Sequence, residues 1–315
     1  MEWDPIYGAR LNTGTQGGNQ WRIPDGYELI ASYPRNHGAR THLNVFMDTT
    51  IGLSYLIACE TSRSQAVASI MTELTRIYPN LGHNPFDGVT INFEGLRGER
   101  ASAEFTAFLT ELSHHLQAYQ LSLYVTLHPT TIDGIFFDGY DYRAIGRLAN
   151  RVILMTHDYH PRSLEGLLFT AWQRHAALTP IGEIRRALEA ITCPETGVED
   201  YSKIAIAFSF VNVGWFVNVD NLAIYPTSIN VSMETVQRRM AQPDTYFGWS
   251  ETYLNPYIIY TTENGERVFL WYQNSQSVAE KLRLANQFGI TGASIWRMGI
   301  VPAEGDWDVW ENFRR

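Results

Sequence analysis

The segment Asp87-Gly88-Val89-Thr90-Ile91-Asn92-Phe93-Glu94 alternates between apolar and polar side chains. This alternation is typical of a β-strand, whose successive side chains point to opposite faces. Every second residue from 89 to 93 is apolar, and we expect this face to pack against helices. The opposite face carries Thr90, Asn92 and Glu94, and it places a carboxylate at the carboxyl end of the strand.

Segments typical of strands and of helices alternate on both sides of this stretch. The helical segments show apolar residues at every third or fourth position, as expected for one buried face. Ser277 and Glu280 predict a capping box at the start of the last helix, and Gly289 predicts its end. The predicted strands are Leu43–Met47, Leu121–Leu127, Arg151–Thr156, Lys203–Val211 and Thr291–Trp296, and the predicted helices are 67–77, 105–119, 181–191 and 277–288. This order indicates βαβ units and a parallel sheet.

Two regions depart from the alternation. Asn264-Gly265 lies between Tyr257–Thr261 and Arg267–Tyr272, and Asn-Gly between two alternating runs is a strong hairpin signal. In the N-terminal forty residues, Tyr27–Tyr33 is the one segment that we predict as a strand. We find no internal repeat or linker, and we therefore predict that residues 1–315 form a single domain.

Composition limits the classes of function. The 315 residues are 45% hydrophobic and 18% charged, with a formal net charge of -9, so the chain lacks the basic surface that nucleic-acid binding needs. There is no apolar run long enough for a membrane span and no visible signal peptide. No glycine-rich nucleotide motif follows a strand, and we predict no cofactor. Cys59 and Cys193 are either free or joined in one bridge, which leaves the redox compartment open.

Residues 87–94 resemble the D-x-x-D-x-D-x-E signature of the chitinase-like glycoside hydrolase family 18. With Gly95 and Leu96, the segment is similar to the spore-germination and cortex-lytic branch, whose strand is close to D-G-V-N-I-D-F-E-G-L. The resemblance covers residues 42–300. Further similar segments follow in the order of that branch: Asp141-Tyr142 with Gly146, Ile153–Asp158, Thr179–Gly182, Glu263-Asn264-Gly265, Trp271, Ser275–Val278 and Gly292–Gly299.

The resemblance implies an α/β fold, a (β/α)8 TIM barrel. The hairpin is then a small antiparallel insertion before the last strand, and the first βα units are abbreviated because the N-terminal segment leaves little room for a crossover. Barrel enzymes carry their chemistry at the carboxyl ends of the strands. Glu94 occupies that position, and the resemblance makes it the catalytic proton donor.

Family 18 enzymes retain the anomeric configuration without a protein nucleophile, because the 2-acetamido oxygen of the substrate attacks the anomeric carbon. Glu94 would protonate the leaving oxygen and then deprotonate the incoming water. Asn92 stands where the family has the Asp that holds the acetamide nitrogen. An amide oxygen can accept that N–H but supplies no negative charge, a loss of about 3–4 kcal/mol of transition-state stabilisation. Asn-x-Glu is nevertheless the working pair of family 85 enzymes with the same substrate-assisted chemistry.

The resemblance also implies three substrate-binding residues. His157 replaces the family's Tyr, which binds the acetamide oxygen, and Asp158 follows the family pattern for sugar binding. Trp296 resembles the aromatic floor of the −1 sugar site. The structural alternatives are a hydrogen-bonded histidine at the barrel rim and a tryptophan in the core. Asp87 has the opposite strand parity to Glu94, so we predict a structural role for it.

Other groups of residues give weaker signals. His128, Asp158 and His160 lie near strand ends, but no metal-binding motif connects them, so we predict no metal site. Trp215, Trp249 and Trp271 are candidates either for outer sugar subsites or for core packing.

The resulting hypothesis is a retaining glycoside hydrolase that cleaves β-linked N-acetylglucosamine polymers. Its substrate would be peptidoglycan of spore cortex or cell wall, or chitin, and its location would be the spore or cell envelope or the outside of the cell. The alternative is a catalytically weakened barrel that acts as a glycan-binding module, because Asn92 and His157 depart from the family pattern. A purely scaffolding barrel is a third interpretation.

Overall fold

A computed structural model of the chain describes residues 1–4, 8–12, 25–49, 52–129, 137–161, 163–301 and 308–313. The chain divides into two compact units. The first unit comprises Met1–Leu154 and Ala190–Ile204, and the second comprises Met155–Glu189 and Ala205–Arg315. Each unit is built around β-strands with their own helices, and the single-domain organisation stays a prediction.

Four neighbouring parallel strands form the sheet of the first unit, in the order β6-β5-β4-β3. A separate antiparallel pair, β1 and β2, lies near the N-terminus. The strands are β1 (Glu2–Asp4), β2 (Gly8–Arg10), β3 (His42–Asp48), β4 (Gly88–Glu94), β5 (Ser122–Leu127) and β6 (Arg151–Met155), and the helices are α1 (Tyr27–Asn36), α2 (Leu53–Ala58), α3 (Glu60–Thr75), α4 (Gly98–Ala118) and α5 (Tyr142–Leu148).

Strand β4 has the two faces that its sequence predicts. Val89, Ile91 and Phe93 are fully buried, and burial of each such side chain stabilises the fold by about 1.5–3 kcal/mol. The ring of Phe93 stacks on Phe108 of α4 with centroids 5.2 Å apart. Gly88 begins the strand where a Cβ would lie 2.2 Å from the carbonyl oxygen of Ser122, so no larger residue fits there. The apolar face therefore meets the helix, and the polar face is available for chemistry.

The second unit contains one parallel strand pair, β7 with β13, and a five-stranded antiparallel sheet in the order β10-β11-β12-β8-β9. From α6 onward the elements are α6 (Ile181–Ile191), β7 (Ile204–Ser209), β8 (Asn212–Val217), β9 (Ile229–Val231), α7 (Met233–Met240), β10 (Tyr246–Ser250), β11 (Asn255–Thr261), β12 (Arg267–Trp271), α8 (Ser275–Gln287), β13 (Gly292–Trp296) and α9 (Trp310–Phe313).

The antiparallel insertion is larger than the predicted hairpin. β11 and β12 form that hairpin, and Gly265 has the positive φ of 81° that its turn requires. Three further strands extend it into a full sheet. Their sequence signals were weak because β9 has only three residues and because β8 begins so soon after β7 that the two resemble one long strand.

Two local predictions were wrong. Tyr27–Tyr33 is not a strand but lies in helix α1, and the apolar residues of such a short run suit either structure. Helix α8 is capped by Asn274, whose side chain accepts from the backbone N–H of Ser277 at 2.9 Å, so the cap lies before the predicted position. Ser277 is the third residue of the helix, and its hydroxyl oxygen accepts from the backbone N–H of Asn274, which completes the capping box. Glu or Gln usually takes this position, and a hydroxyl takes it here. Gly289 follows the helix with a φ of 75°, as predicted.

A lysine is buried in the second unit. Lys281 of α8 is fully enclosed, and its Nζ donates hydrogen bonds to the carbonyl oxygen of Leu254 at 2.7 Å and to Oδ1 of Asn255 at 3.2 Å. Burial lowers the pKa of the Lys281 ammonium well below its ordinary value, against a smaller opposing effect of Glu280. The two hydrogen bonds tie α8 to the start of β11.

The two thiols are free. Cys59 is exposed and Cys193 is partly exposed, and neither forms a disulfide. In the part of the chain that the structure describes, no helix has both the length and the apolar character needed to cross a membrane.

Candidate active site

Glu94 and Asn92 lie together at the carboxyl end of β4. Nδ2 of Asn92 donates a hydrogen bond of 3.0 Å to Oε1 of Glu94. Asn92 is 7% exposed, whereas the Glu94 side chain is 30% exposed, so the carboxylate can be reached by a ligand and the amide is mostly enclosed. The predicted pair is therefore formed in the structure.

The other amide atom of Asn92 is unsatisfied. Its Oδ1 is buried and has no hydrogen-bond partner among the described residues. The amide nitrogen of Asn92 can only donate, and it is the atom that faces Oε1 of Glu94. A buried acceptor without a partner costs about 1–3 kcal/mol. Such an atom calls for an explanation, and a missing ligand donor is one.

His128 approaches the second oxygen of Glu94. It directly follows β5, the neighbour of β4, and its Nε2 lies 3.5 Å from Oε2 of Glu94. Its ring stacks on Phe137 with centroids 4.1 Å apart and an interplanar angle of 18°. From the sequence, His128 was a candidate only for a metal ligand. The available signal was its place one residue after a strand that pairs with the strand of Glu94.

Two tyrosines fix the backbone around these side chains. The hydroxyl of Tyr140 donates to the carbonyl oxygen of Phe93 at 2.7 Å, and that of Tyr142 donates to the carbonyl oxygen of His128 at 3.1 Å. Burial is the largest cause that raises the pKa of the Tyr140 phenol, with a smaller contribution from the charge of Glu94. Tyr140 therefore stays protonated and remains a donor under Glu94.

Two other carboxylates end or begin strands in the same sheet. Asp87 precedes β4, and its Oδ2 accepts from the backbone N–H of Thr41 at 2.9 Å while Arg35 lies 3.3 Å from Oδ1. These contacts give Asp87 the structural role that its parity predicts. Asp48 ends β3 as the register partner of Glu94, a position that the sequence analysis did not single out.

His157 and Asp158 lie in the second unit and contact each other. The His157 side chain is 7% exposed, and its Nδ1 lies 2.9 Å from Oδ2 of Asp158. Because a carboxylate only accepts hydrogen bonds, Nδ1 of His157 carries the hydrogen of this contact. Asp158, with a φ of 61°, therefore orients the imidazole as well as offering its own carboxylate, which is half exposed.

The tryptophans divide into two groups. Trp296 ends β13 and is 49% exposed, so it is not a core residue and its indole face is accessible. Trp215 and Trp271 are almost completely buried, and their role is core packing. Trp249 of β10 is partly exposed. Over the described ranges, no group of three or more His, Cys, Asp or Glu side chains is arranged to hold a metal ion.

Solved structures show which fold these elements form. A chitinase from Chromobacterium violaceum aligns with a TM-score of 0.71 at 18% identity, over 100% of this chain and 89% of that chain. The C-terminal domain of a Desulfitobacterium hafniense protein described as a chitinase aligns with a TM-score of 0.75 at 20% identity, over 98% and 88% of the two chains. The predicted α/β, TIM-barrel-like fold is confirmed, with the antiparallel sheet as its addition.

The family is shown by sequence as well. The family described as Glycosyl hydrolases family 18 matches residues 44–300, a range that includes both Glu94 and Trp296. The chain therefore belongs to glycosyl hydrolases family 18, as the resemblance of residues 87–94 predicted.

Two named relatives come from Bacillus species. A Bacillus subtilis protein named as a sporulation-specific glycosylase, YdhD, is 24% identical over 235 residues, which are 74% of this chain and 52% of the relative. The cortical fragment-lytic enzyme of Bacillus anthracis is 27% identical over 233 residues, 71% of this chain and 49% of the relative. The chain thus spans about half the length of the curated relatives that it matches.

Proposed function

We propose that the protein is a retaining glycosidase that cleaves β-linked N-acetylglucosamine polymers by substrate-assisted catalysis. The observation that carries the proposal is the buried, unpartnered Oδ1 of Asn92 beside the accessible carboxyl of Glu94. An N-acetylated sugar offers what this pair lacks, namely an amide N–H for Oδ1. It also brings its own nucleophile, so that one acid residue is enough.

Each step of the reaction has an atom assigned to it. The acetamide oxygen of the substrate attacks the anomeric carbon while protonated Glu94 gives its hydrogen to the leaving glycosidic oxygen, forming an oxazoline-type intermediate. Asn92 Oδ1 accepts the acetamide N–H and holds the group in line. Glu94, now a carboxylate, takes a proton from water, whose oxygen attacks the anomeric carbon and releases the acetamide with net retention.

His128 has a supporting role in this proposal. Asn92 contacts Oε1 of Glu94 and His128 contacts Oε2, so the carboxyl group is held at both oxygens. Holding an acid in one orientation removes the cost of ordering it during the reaction. His128 acts through Glu94, as a positioning residue.

For the second unit we propose substrate contacts by three residues. The exposed indole of Trp296 would stack on the apolar face of a sugar ring. Nε2 of His157 would form a hydrogen bond with a sugar hydroxyl, with its ring held by Asp158. The exposed part of the Asp158 carboxylate would bind a second hydroxyl.

The names of the relatives guide the choice of substrate and location. Peptidoglycan of spore cortex or cell wall is our first candidate, and chitin is the second. We propose the spore or cell envelope, or the outside of the cell, as the place of action. Residues 1–315 would serve as one catalytic domain.

A second function is a glycan-binding module with little turnover. Asn92 favours it, because a neutral amide supplies no negative charge to the developing cation, a loss of about 3–4 kcal/mol or a hundred- to thousand-fold in rate. In this case sugar binding persists while hydrolysis is lost.

Two variants separate these functions. The enzyme interpretation predicts that Glu94→Gln abolishes release of reducing ends from purified peptidoglycan and from chitotetraose, while binding to the same glycans persists. Asn92→Asp should equal or exceed the unaltered protein, because it restores the negative charge. If the unaltered protein binds these glycans but shows no turnover above that of Glu94→Gln, the binding module replaces the enzyme.

A further inference from the structure

A groove on the antiparallel sheet has no role in the proposed reaction. It lies entirely within the second unit and has a volume of about 440 Å³, within the range of about 300–1,000 Å³ that is typical of small-ligand sites. Trp249 and Trp271, two of the three tryptophans noted in the sequence, are on its lining, whereas Trp215 is in the core. The lining residues are Arg174, Asn221, Tyr246, Trp249, Ser250, Tyr257, Ile259, Phe269 and Trp271.

The walls of the groove are aromatic, and their rings contact one another. The ring of Tyr257 stacks on Phe269 with centroids 4.7 Å apart, and that of Tyr246 lies 6.3 Å from Tyr257. Tyr257 occupies the space over Gly248, where a Cβ would come within 2.1 Å of the ring. Tyr246, at the edge of this aromatic cluster, is exposed and can present its ring to a sugar or another flat apolar surface.

Arg174 places a cation at this aromatic groove. It is exposed on the 3-10 turn Trp172–His175, and no described carboxylate lies within ion-pair distance of its guanidinium. Some arginines of this unit pair with glutamates, as Arg239 with Glu263 and Arg283 with Glu280 do, whereas others, such as Arg238, have no described ion pair. In a chain with a net charge of -9, an uncompensated guanidinium beside aromatic rings indicates an anionic group on the ligand.

Polar groups complete the lining. Oδ1 of Asn221 accepts from Nε of Arg267 at 2.7 Å, so the amide nitrogen of Asn221 is the part left to donate to a ligand. Ser250 adds a hydroxyl. The groove thus combines an aromatic surface with two neutral polar groups and the planar guanidinium of Arg174. This combination suits an acidic saccharide better than a neutral one.

We propose that this groove binds an N-acetylated glycan that carries a carboxylate, with Arg174 paired to the carboxylate and Tyr246 against a sugar ring. The glycan class rests on the proposed function, whereas the requirement for a carboxylate rests on the groove itself. Chitin has no carboxylate. Peptidoglycan offers a carboxylate in two places, on the lactyl group of muramic acid residues that carry no stem peptide and on the stem peptides of the others. The groove therefore favours peptidoglycan over chitin.

The test measures binding by titration calorimetry on the full chain carrying Glu94→Gln, so that turnover does not consume the ligand. The probes are chitotetraose and peptidoglycan tetrasaccharides with and without stem peptides. Arg174→Gln should weaken binding of the carboxylate-bearing tetrasaccharide about tenfold, as expected for loss of a charge-assisted contact in an open groove. Binding of chitotetraose should change less than twofold. Arg238→Gln, which removes an exposed arginine outside the groove, is the matched control for net charge.

The outcomes are distinguishable. If Arg174→Gln weakens both glycans equally, weakens neither, or acts no more strongly than Arg238→Gln, the proposal is overturned. If Arg174→Gln loses affinity for the tetrasaccharide without stem peptides, Arg174 binds the lactyl carboxylate. If it loses affinity only for the tetrasaccharide with stem peptides, Arg174 binds a carboxylate of the peptide. Because the readout is binding, the result stands apart from whether Glu94 catalyses hydrolysis.

Discussion

Replacing Asn92 with alanine should separate activity from stability. The substitution removes the acceptor that we assign to the acetamide N–H and the donor that holds Oε1 of Glu94. Loss of one such transition-state partner corresponds to about 3–4 kcal/mol, or a hundred- to thousand-fold fall in kcat. For stability, the lost hydrogen bond of about 1.5–3 kcal/mol is offset by removal of a buried acceptor that costs about 1–3 kcal/mol. The free energy of unfolding should therefore change by no more than about 2 kcal/mol.

Two measurements check this expectation. Urea unfolding gives the change in stability, and initial rates of reducing-end release from chitotetraose and from peptidoglycan give kcat. Asn212 supplies a matched control, because it is 2% exposed, donates through Nδ2 to the carbonyl oxygen of Val231, and also has an unpartnered Oδ1. Asn212→Ala should show a similar stability change with kcat nearly unaltered.

Either of two results would contradict the catalytic role of the Asn92 amide. One is that Asn92→Ala retains kcat within about threefold, which would mean that the amide contributes nothing to the transition state. The other is a loss of several kcal/mol of stability with activity falling only as the folded fraction falls, which would make Asn92 a structural residue.

Two further predictions concern a positioning residue and a buried charge. His128→Phe keeps a ring that can stack on Phe137 but removes the nitrogen beside Glu94. We therefore expect kcat to fall about tenfold at constant KM. An unchanged kcat would show that His128 does not position Glu94. Burial lowers the pKa of Lys281 in the folded state. Between that lowered pKa and 10.5, the native protein therefore binds fewer protons than the unfolded chain. The free energy of unfolding should rise with pH across this window. Lys281→Met should abolish that part of the slope in urea unfolding at a series of pH values, whereas Lys203→Met should keep it.

The catalytic strand could be predicted because its information is local. Alternation from Val89 to Glu94 determines which side chains face the helices, and neighbouring strands do not change that parity. His128 was missed because its contact with Glu94 depends on two strands being neighbours, which the sequence of either strand does not contain. In the sequence, His128 was a candidate only for metal binding.

Local ambiguity explains the errors in element type and boundary. Tyr27–Tyr33 has apolar spacing that fits both a strand and a helix, and none of the described strands pairs with it. At the start of α8, both Asn274 and Ser277 are good capping residues, and their mutual hydrogen bonds decide which of them is outside the helix. The antiparallel sheet was underestimated because short edge strands carry little pattern.

The absent side chain at Gly248 makes the shape of the groove easy to change in evolution. Tyr257 lies where it does because nothing occupies the space beneath its ring, and even one methyl group there would force the ring to move. A single codon change at 248 thus alters the width of the site without altering any residue of its lining. Divergence in ligand preference among related barrels can therefore begin at a position that never touches the ligand.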